Sequence, residues 1–251
     1  MQKIVFGTSQ LLRTLSWFDS IDPIDPIGQT SGVKALRLRW FPMHNLSLWN
    51  WIIASKDDTL SYGGRIEFSN TIGEWGFTYH TDPSKSIKSI SSIKTLVLGS
   101  DSRFAIDYRF DGLIGLWNES ALIQSNRSKV VTMTLGADYT LPISTGLLLT
   151  VEYMSMQNQF DYATRDSKFL ALMASIPLGI THQIMMVSQM NIGEEKLYHF
   201  LRWSSTYNYY SLNFICTIYP KRSSYQYHDQ FLHQSLAGFG TGLQVMFIYN
   251  H

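Results

Sequence analysis

Along most of this chain apolar and polar residues alternate with a period of two, the spacing of a β-strand that shows a different face to each of two environments. Leu60, Tyr62, Ile66 and Phe68 fall on one face, with Ser61, Gly63, Arg65 and Glu67 on the other. Trp75, Phe77 and Tyr79 likewise oppose Glu74, Gly76, Thr78 and His80. Phe104, Ile106, Tyr108 and Phe110 oppose Arg103, Asp107, Arg109 and Asp111, and Val131, Met133, Leu135, Ala137 and Tyr139 oppose Thr132, Thr134, Gly136 and Asp138. The same holds for Leu147, Leu149, Val151 and Tyr153 against Thr150 and Glu152, and for Leu212, Phe214, Cys216 and Ile218 against Ser211, Asn213 and Thr217. The apolar faces often end in Tyr or Trp, as interfacial girdles require (Tyr62, Trp75, Tyr79, Tyr139, Tyr153, Tyr210). The runs are about 8–11 residues, enough to cross hydrocarbon when tilted, where soluble strands average about 5–6. These features predict an all-β, transmembrane, antiparallel up-and-down β-barrel; a soluble β-sandwich, whose strands also alternate, is the competing fold.

Turn signals separate the runs at 42–45, 55–58, 70–71, 142–146, 177–179 and 191–196, and longer polar connections fall at 8–32, 81–91, 157–167 and 219–240. In a bacterial barrel short turns and long loops lie on opposite sides, so the two kinds alternate. That alternation fails between residues 92 and 128 unless 103–122 is one long strand running through Asp111-Gly112. With that merger the expectation is about 14 strands, the even number single-chain bacterial barrels have, with both termini opposite the long connections. Strands run from end to end without a linker or repeat, so residues 1–251 read as one domain.

Composition sharpens the environment. Charged residues are 16% and aromatics 14% of the chain, less charge than a soluble domain of this size carries. Mean hydropathy is only −0.06, and no run approaches the roughly 18 apolar residues of a spanning helix. A net charge of +1 with scattered basic residues gives no case for nucleic acid. Cys216 is the single cysteine, so no internal disulfide forms. The start MQKIVFGTSQLLRTL lacks the basic, apolar and small-residue regions of an export signal. A chain bound for a bacterial outer membrane needs one, which predicts either that the signal has been removed or that the sequence is a piece of a longer protein.

The first third carries Trp17-Phe18-Asp19-Ser20-Ile21-Asp22-Pro23-Ile24-Asp25-Pro26, then Gly32-Val33-Lys34-Ala35-Leu36-Arg37-Leu38-Arg39-Trp40-Phe41-Pro42, then Gly63-Gly64-Arg65-Ile66-Glu67-Phe68 and Gly73-Glu74-Trp75. This order of an Asp/Pro loop, a glycine entering a basic-aromatic strand, and a hairpin resembles the porin-like outer-membrane barrels related to the alginate-export type, over roughly residues 7–120. The resemblance implies a bacterial outer-membrane address, further strands ahead of the loop, and a structural loop that folds inward to narrow the pore. The last strand, Gly242 to Tyr249, alternates as a barrel-insertion signal does but is followed by Asn250-His251 rather than ending on an aromatic.

If the apolar faces meet lipid, a charge among them costs about 2–4 kcal/mol near the midplane. The charges Arg37, Arg39, Arg65, Glu67, Arg103, Asp107, Arg109, Asp138 and Glu152 are therefore expected to line the lumen. There they either select solutes by charge or pair and plug a narrow interior. Asp19, Asp22 and Asp25 suit calcium oxygen chemistry, or simply fix Asp-Pro turns. The histidines do not cluster and nothing completes a zinc pattern, so no metal or cofactor is expected. His80, His182 and His199 are conceivable bases, yet no short Ser–His motif stands out, and no enzyme is expected. The expected function is diffusion of small hydrophilic solutes through an outer-membrane channel. The alternative is a barrel with a filled lumen, anchoring or joining a surface assembly, and an outer-membrane lipid hydrolase ranks below both. Expected partners are outer-membrane lipids, small hydrophilic solutes, and another copy or an assembly subunit.

Overall fold

The structure, a computed structural model, describes residues 4–18, 32–54, 59–85, 87–90, 95–161, 163–219 and 241–249. Its strands are β1 (Ala35–Met43), β2 (Leu46–Ala54), β3 (Leu60–Asn70), β4 (Gly73–Asp82), β5 (Ile87–Ile90), β6 (Thr95–Leu98), β7 (Asp101–Asp111) and β8 (Gly115–Ser125). There follow β9 (Ser128–Leu141), β10 (Leu147–Phe160), β11 (Ala163–Leu178), β12 (His182–Asn191), β13 (Lys196–Thr206), β14 (Tyr210–Ile218) and β15 (Gly242–Tyr249). Thirteen of them form one antiparallel up-and-down sheet in chain order, and β5 and β6 form a separate hairpin between β4 and β7. The chain is all-β in the described residues, as the period of two requires.

The strand count departs from the expected 14 or so, and the merger of 103–122 is where the reading goes wrong. Asp111-Gly112 does turn the chain, and β7 pairs with β8 from Asp101↔Ser125 to Asp111↔Gly115. What breaks the loop alternation is instead the β5–β6 hairpin, which stays outside the ladder while β4 pairs directly with β7. The polar stretch 157–167 is not a loop either. Gln157↔Asp166, Asn158↔Arg165 and Phe160↔Ala163 continue the β10–β11 ladder, and the chain turns at Asp161 with φ 48. Polar strand ends carried beyond an apolar band look like loops to a hydropathy argument. The connections at 44–45, 71–72, 112–114, 142–146, 179–181 and 207–209 share one end of the sheet, and the long ones at 83–100 and 219–241 share the other. Because the number of ladder strands is odd, β1 and β15 run in the same direction.

Among the described residues no second sheet covers the outward face. Phe77, Leu135 and Phe214 are 41%, 45% and 40% exposed, which excludes a sandwich with these side chains between two layers. The core lies on the opposite, concave face. Trp49, Trp51 and Ile53 of β2 join Met154 and Met156 of β10, Phe169 of β11, Met185 and Val187 of β12, Phe200 of β13 and Ile215 of β14 in one buried cluster. Its remaining members include Ile4, Phe6, Leu11, Leu12, Leu15 and Trp17, from a segment that is not part of the sheet at all.

Inward glycines make room for this filling. A Cβ on Gly136 would lie 2.1 Å from the Trp117 indole, and one on Gly63 would lie 2.9 Å from Trp51. Large rings therefore reach across neighbouring strands where a side chain would otherwise block them.

Candidate functional site

Residues 4–18 run through the concavity of the sheet without regular secondary structure. Such a segment brings unpaired backbone N–H groups into a dry interior, where each needs an acceptor. Two glutamates supply them. Glu119 of β8 accepts from the backbone N–H of Thr8 and Ser9 through Oε1, and from Thr14 and Leu15 through Oε2. Glu152 of β10 accepts from Gln10 through Oε1 and from Leu11 and Leu12 through Oε2. Both carboxyl groups are fully buried, at 1% and 0% exposure. A carboxylate offers about four lone-pair sites on two oxygens, so it can gather a turn's worth of amides that no side-chain hydroxyl could. Thr134 of β9 completes the seat, donating to the Leu12 carbonyl at 3.0 Å and meeting Thr14 Oγ1 at 2.9 Å.

The strand register explains why these groups converge. Glu119 pairs with Thr134, and Glu152 pairs with Gly136, so the two carboxylates stand on one face of three adjacent strands. The segment approaches Glu119 at Gly7, whose φ is 99 and whose Cβ, if present, would lie 2.3 Å from Glu119 Oε1. Gly7→Ala is thus strained twice, by backbone and by clash. It is expected to cost about 1–3 kcal/mol, read as a lower midpoint in urea unfolding, whereas Ala at a tolerant surface position would stay within about 0.5 kcal/mol.

Aromatic packing holds the ends of the segment. Phe6 stacks on Trp51 with ring centroids 5.6 Å apart, and Trp17 meets Phe6 edge-on at 5.7 Å. The Trp51 indole N–H donates to His80 Nδ1 at 3.2 Å, which fixes both rings beneath the segment.

Beside the seat runs a ladder of ion pairs. Arg65 bonds Asp107 through both terminal nitrogens, at 2.6 and 2.8 Å, and Glu67 through Nε at 2.9 Å. It also donates to Thr78 Oγ1 at 2.8 Å. Glu67 in turn meets Arg39 at 3.1 Å. Gly76 leaves space for this pair, since its Cβ would lie 2.2 Å from Arg65 Nη2. Toward the long-loop end, Lys88 of the hairpin bridges Asp82 and Asp101 at 3.0 and 2.9 Å, and Arg103 bonds Asp101 at 2.6 Å. Arg109 lies between Asp111 at 2.8 Å and Asp138 at 3.6 Å.

Of the charges singled out in the sequence, Arg65, Arg103, Asp107 and Glu152 are buried on the concave face. Glu67, Arg109 and Asp138 are part-exposed, while Arg37 and Arg39 are exposed on β1, each with its guanidinium over the Trp49 ring at 5.1 and 4.1 Å. Asp19, Asp22 and Asp25 lie outside the described residues. Sequence reasoning missed Glu119, Thr134 and the segment they hold. The available signal was a lone carboxylate among the same-face residues Trp117, Ala121 and Ile123 of β8, all buried.

Among the described residues no group of three or more His, Cys, Asp or Glu side chains is placed to hold a metal ion. A cavity of about 460 Å³ remains at the short-turn end, between the start of the segment and the charged ladder, lined by Phe6, Arg39, Phe41, Glu67, Trp75 and Asp107 among others. Comparison with known protein families, with characterised proteins and with solved structures finds no match to this chain.

Proposed function

We propose that this chain is a β-barrel of a bacterial outer membrane whose lumen is closed by its own N-terminal segment, and that it serves as an anchor or subunit of a surface assembly rather than as an open pore. The observation that carries this reading is the seating of residues 8–15 on Glu119 and Glu152. Withdrawing the segment would expose Ile4, Phe6, Leu11, Leu12, Leu15 and Trp17. At about 1.5–3 kcal/mol for each large side chain the burial is worth roughly 9–18 kcal/mol. Opening would also strip the amides of Thr8 to Leu12, Thr14 and Leu15 of the two glutamates that hold them, which a resting channel for solutes does not fit.

The membrane reading draws on the outward face, where Phe77, Leu135, Leu172 and Phe214 stand exposed in strands paired on both sides by the ladder. Lipid tolerates such a surface and water does not. Barrel closure belongs to the same proposal. Because β1 and β15 run in the same direction, they close either by a parallel seam or through an odd number of further antiparallel strands.

The diffusion reading retains the charged cavity at the short-turn end, wide enough for a small hydrophilic solute but leading only to the segment. Planar-bilayer recording separates the two. The protein as it stands is expected to insert without discrete conductance steps; steady stepwise current from it would favour the open pore.

A further inference from the structure

Ser188 of β12 and His199 of β13 are direct ladder partners, and Ser188 Oγ lies 2.9 Å from His199 Nδ1. Both belong to the outward face: their neighbours Met186 and Leu201 are 45% and 46% exposed, while Val187 and Phe200, which alternate with them, are buried. A hydroxyl and an imidazole in a hydrocarbon-facing wall are costly unless their hydrogen-bonding sites are used. Their mutual bond uses one site on each, and among the described residues His199 Nε2 makes no hydrogen bond.

An apolar groove of about 490 Å³ leads to this pair. It crosses the outward face from Tyr139 and Leu149, past Leu172 and Met186, and ends at Ser188, with the small side chain of Ala174 in its lining. Ser188 stands three residues before Asn191, the last of β12, and His199 three after Lys196, the first of β13. The polar pair is therefore near the long-loop end, and the groove runs from it toward the short-turn end.

We propose that this is a lipid site. One glycerophospholipid of the surrounding membrane lays an acyl chain along the groove, and its ester carbonyl accepts a hydrogen bond from the Ser188–His199 pair. The apolar lining matches the chain, and the polar pair at one end matches the only hydrogen-bonding group that an acyl chain carries at its head. The role assigned to the pair is binding: among the described residues its one side-chain hydrogen bond is that between Ser188 and His199. The inference rests on the membrane reading above.

The test uses the full chain in phosphatidylethanolamine–phosphatidylglycerol vesicles doped with a phospholipid bearing a photoreactive diazirine in its acyl chain. Labelling is expected to concentrate on peptides containing Leu149, Leu172 and Met186. Ala174→Phe, which fills the groove, should abolish that concentration while labelling of outward residues on β3 and β4 is unchanged. Ser188→Ala, which removes the hydroxyl and adds no bulk to the groove, should weaken it about fivefold, the effect of one net hydrogen bond. Labelling spread evenly over the outward face, or indifferent to Ala174→Phe in protein that still floats with vesicles, overturns the lipid site alone. Failure of the unaltered chain to float with vesicles overturns the membrane reading, and the lipid site with it.

Discussion

Replacing Glu119 and Glu152 together by alanine is expected to unseat the N-terminal segment and, on the proposed function, to make a non-conducting protein conduct. The exchange removes every acceptor for the N–H groups of Thr8, Ser9, Gln10, Leu11, Leu12, Thr14 and Leu15 at once. A buried amide left without a partner costs about 1–3 kcal/mol, so the total rivals the roughly 9–18 kcal/mol that apolar burial of the segment supplies. Water must then enter to satisfy the amides, and with it the segment loses its dry seat. Two readouts follow: discrete steps in planar bilayers, and cleavage by trypsin after Arg13, which in the unaltered protein is tied to the Gln10 carbonyl inside the sheet. Heat-modifiable migration on a gel, retained by the variant, would show that the sheet itself still folds. A double variant that migrates as folded, stays silent and resists cleavage at Arg13 would contradict the role given to the two glutamates. Glu119→Gln alone is a milder case, because an amide keeps one acceptor oxygen but turns an N–H₂ toward donors.

Arg65→Met should be the most damaging single substitution on the charged ladder. Asp107 is buried and its two oxygens are taken by the Arg65 fork, with side chains 5% and 3% exposed across the pair. Removing one partner of a buried pair costs about 3–5 kcal/mol, because the remaining charge is left uncompensated. Arg65→Lys restores the charge but cannot reproduce the bidentate fork or the simultaneous bonds to Glu67 and Thr78. A large drop in the urea midpoint for Arg65→Met, and an intermediate one for Arg65→Lys, is the expected order. Equal and small losses for both would mean that water reaches the pair and that this part of the interior is wet.

How much of this was legible in the sequence varies with the range of the interaction. Strands and their faces were: parity along Leu60 to Phe68 or Val131 to Tyr139 places each side chain on the side it occupies, since a pleated strand alternates whatever surrounds it. Strand number was less legible. Asp111-Gly112 is a turn signal of ordinary strength, and only a rule about loop lengths argued it away; the β5–β6 hairpin, too short to span, upset that rule. The occupant of the interior was not legible at all. Phe6-Gly7-Thr8 to Trp17-Phe18 has neither period, and its partners Glu119 and Glu152 are more than a hundred residues away. The charges on Arg65 and Asp107 announced an inward face but not whether water or protein would fill it. Their pairing across β3 and β7 depends on Gly76 leaving the space between them, which only the register supplies.

The most direct measurement is hydrogen exchange at the backbone amides of residues 8–12, 14 and 15 in the folded protein in lipid or detergent. These amides donate to buried carboxylates, so they are expected to exchange as slowly as the ladder amides of β8 and β10. Exchange at the rate of an unstructured peptide, with β8 and β10 still protected, would mean that the segment is not seated on the two glutamates.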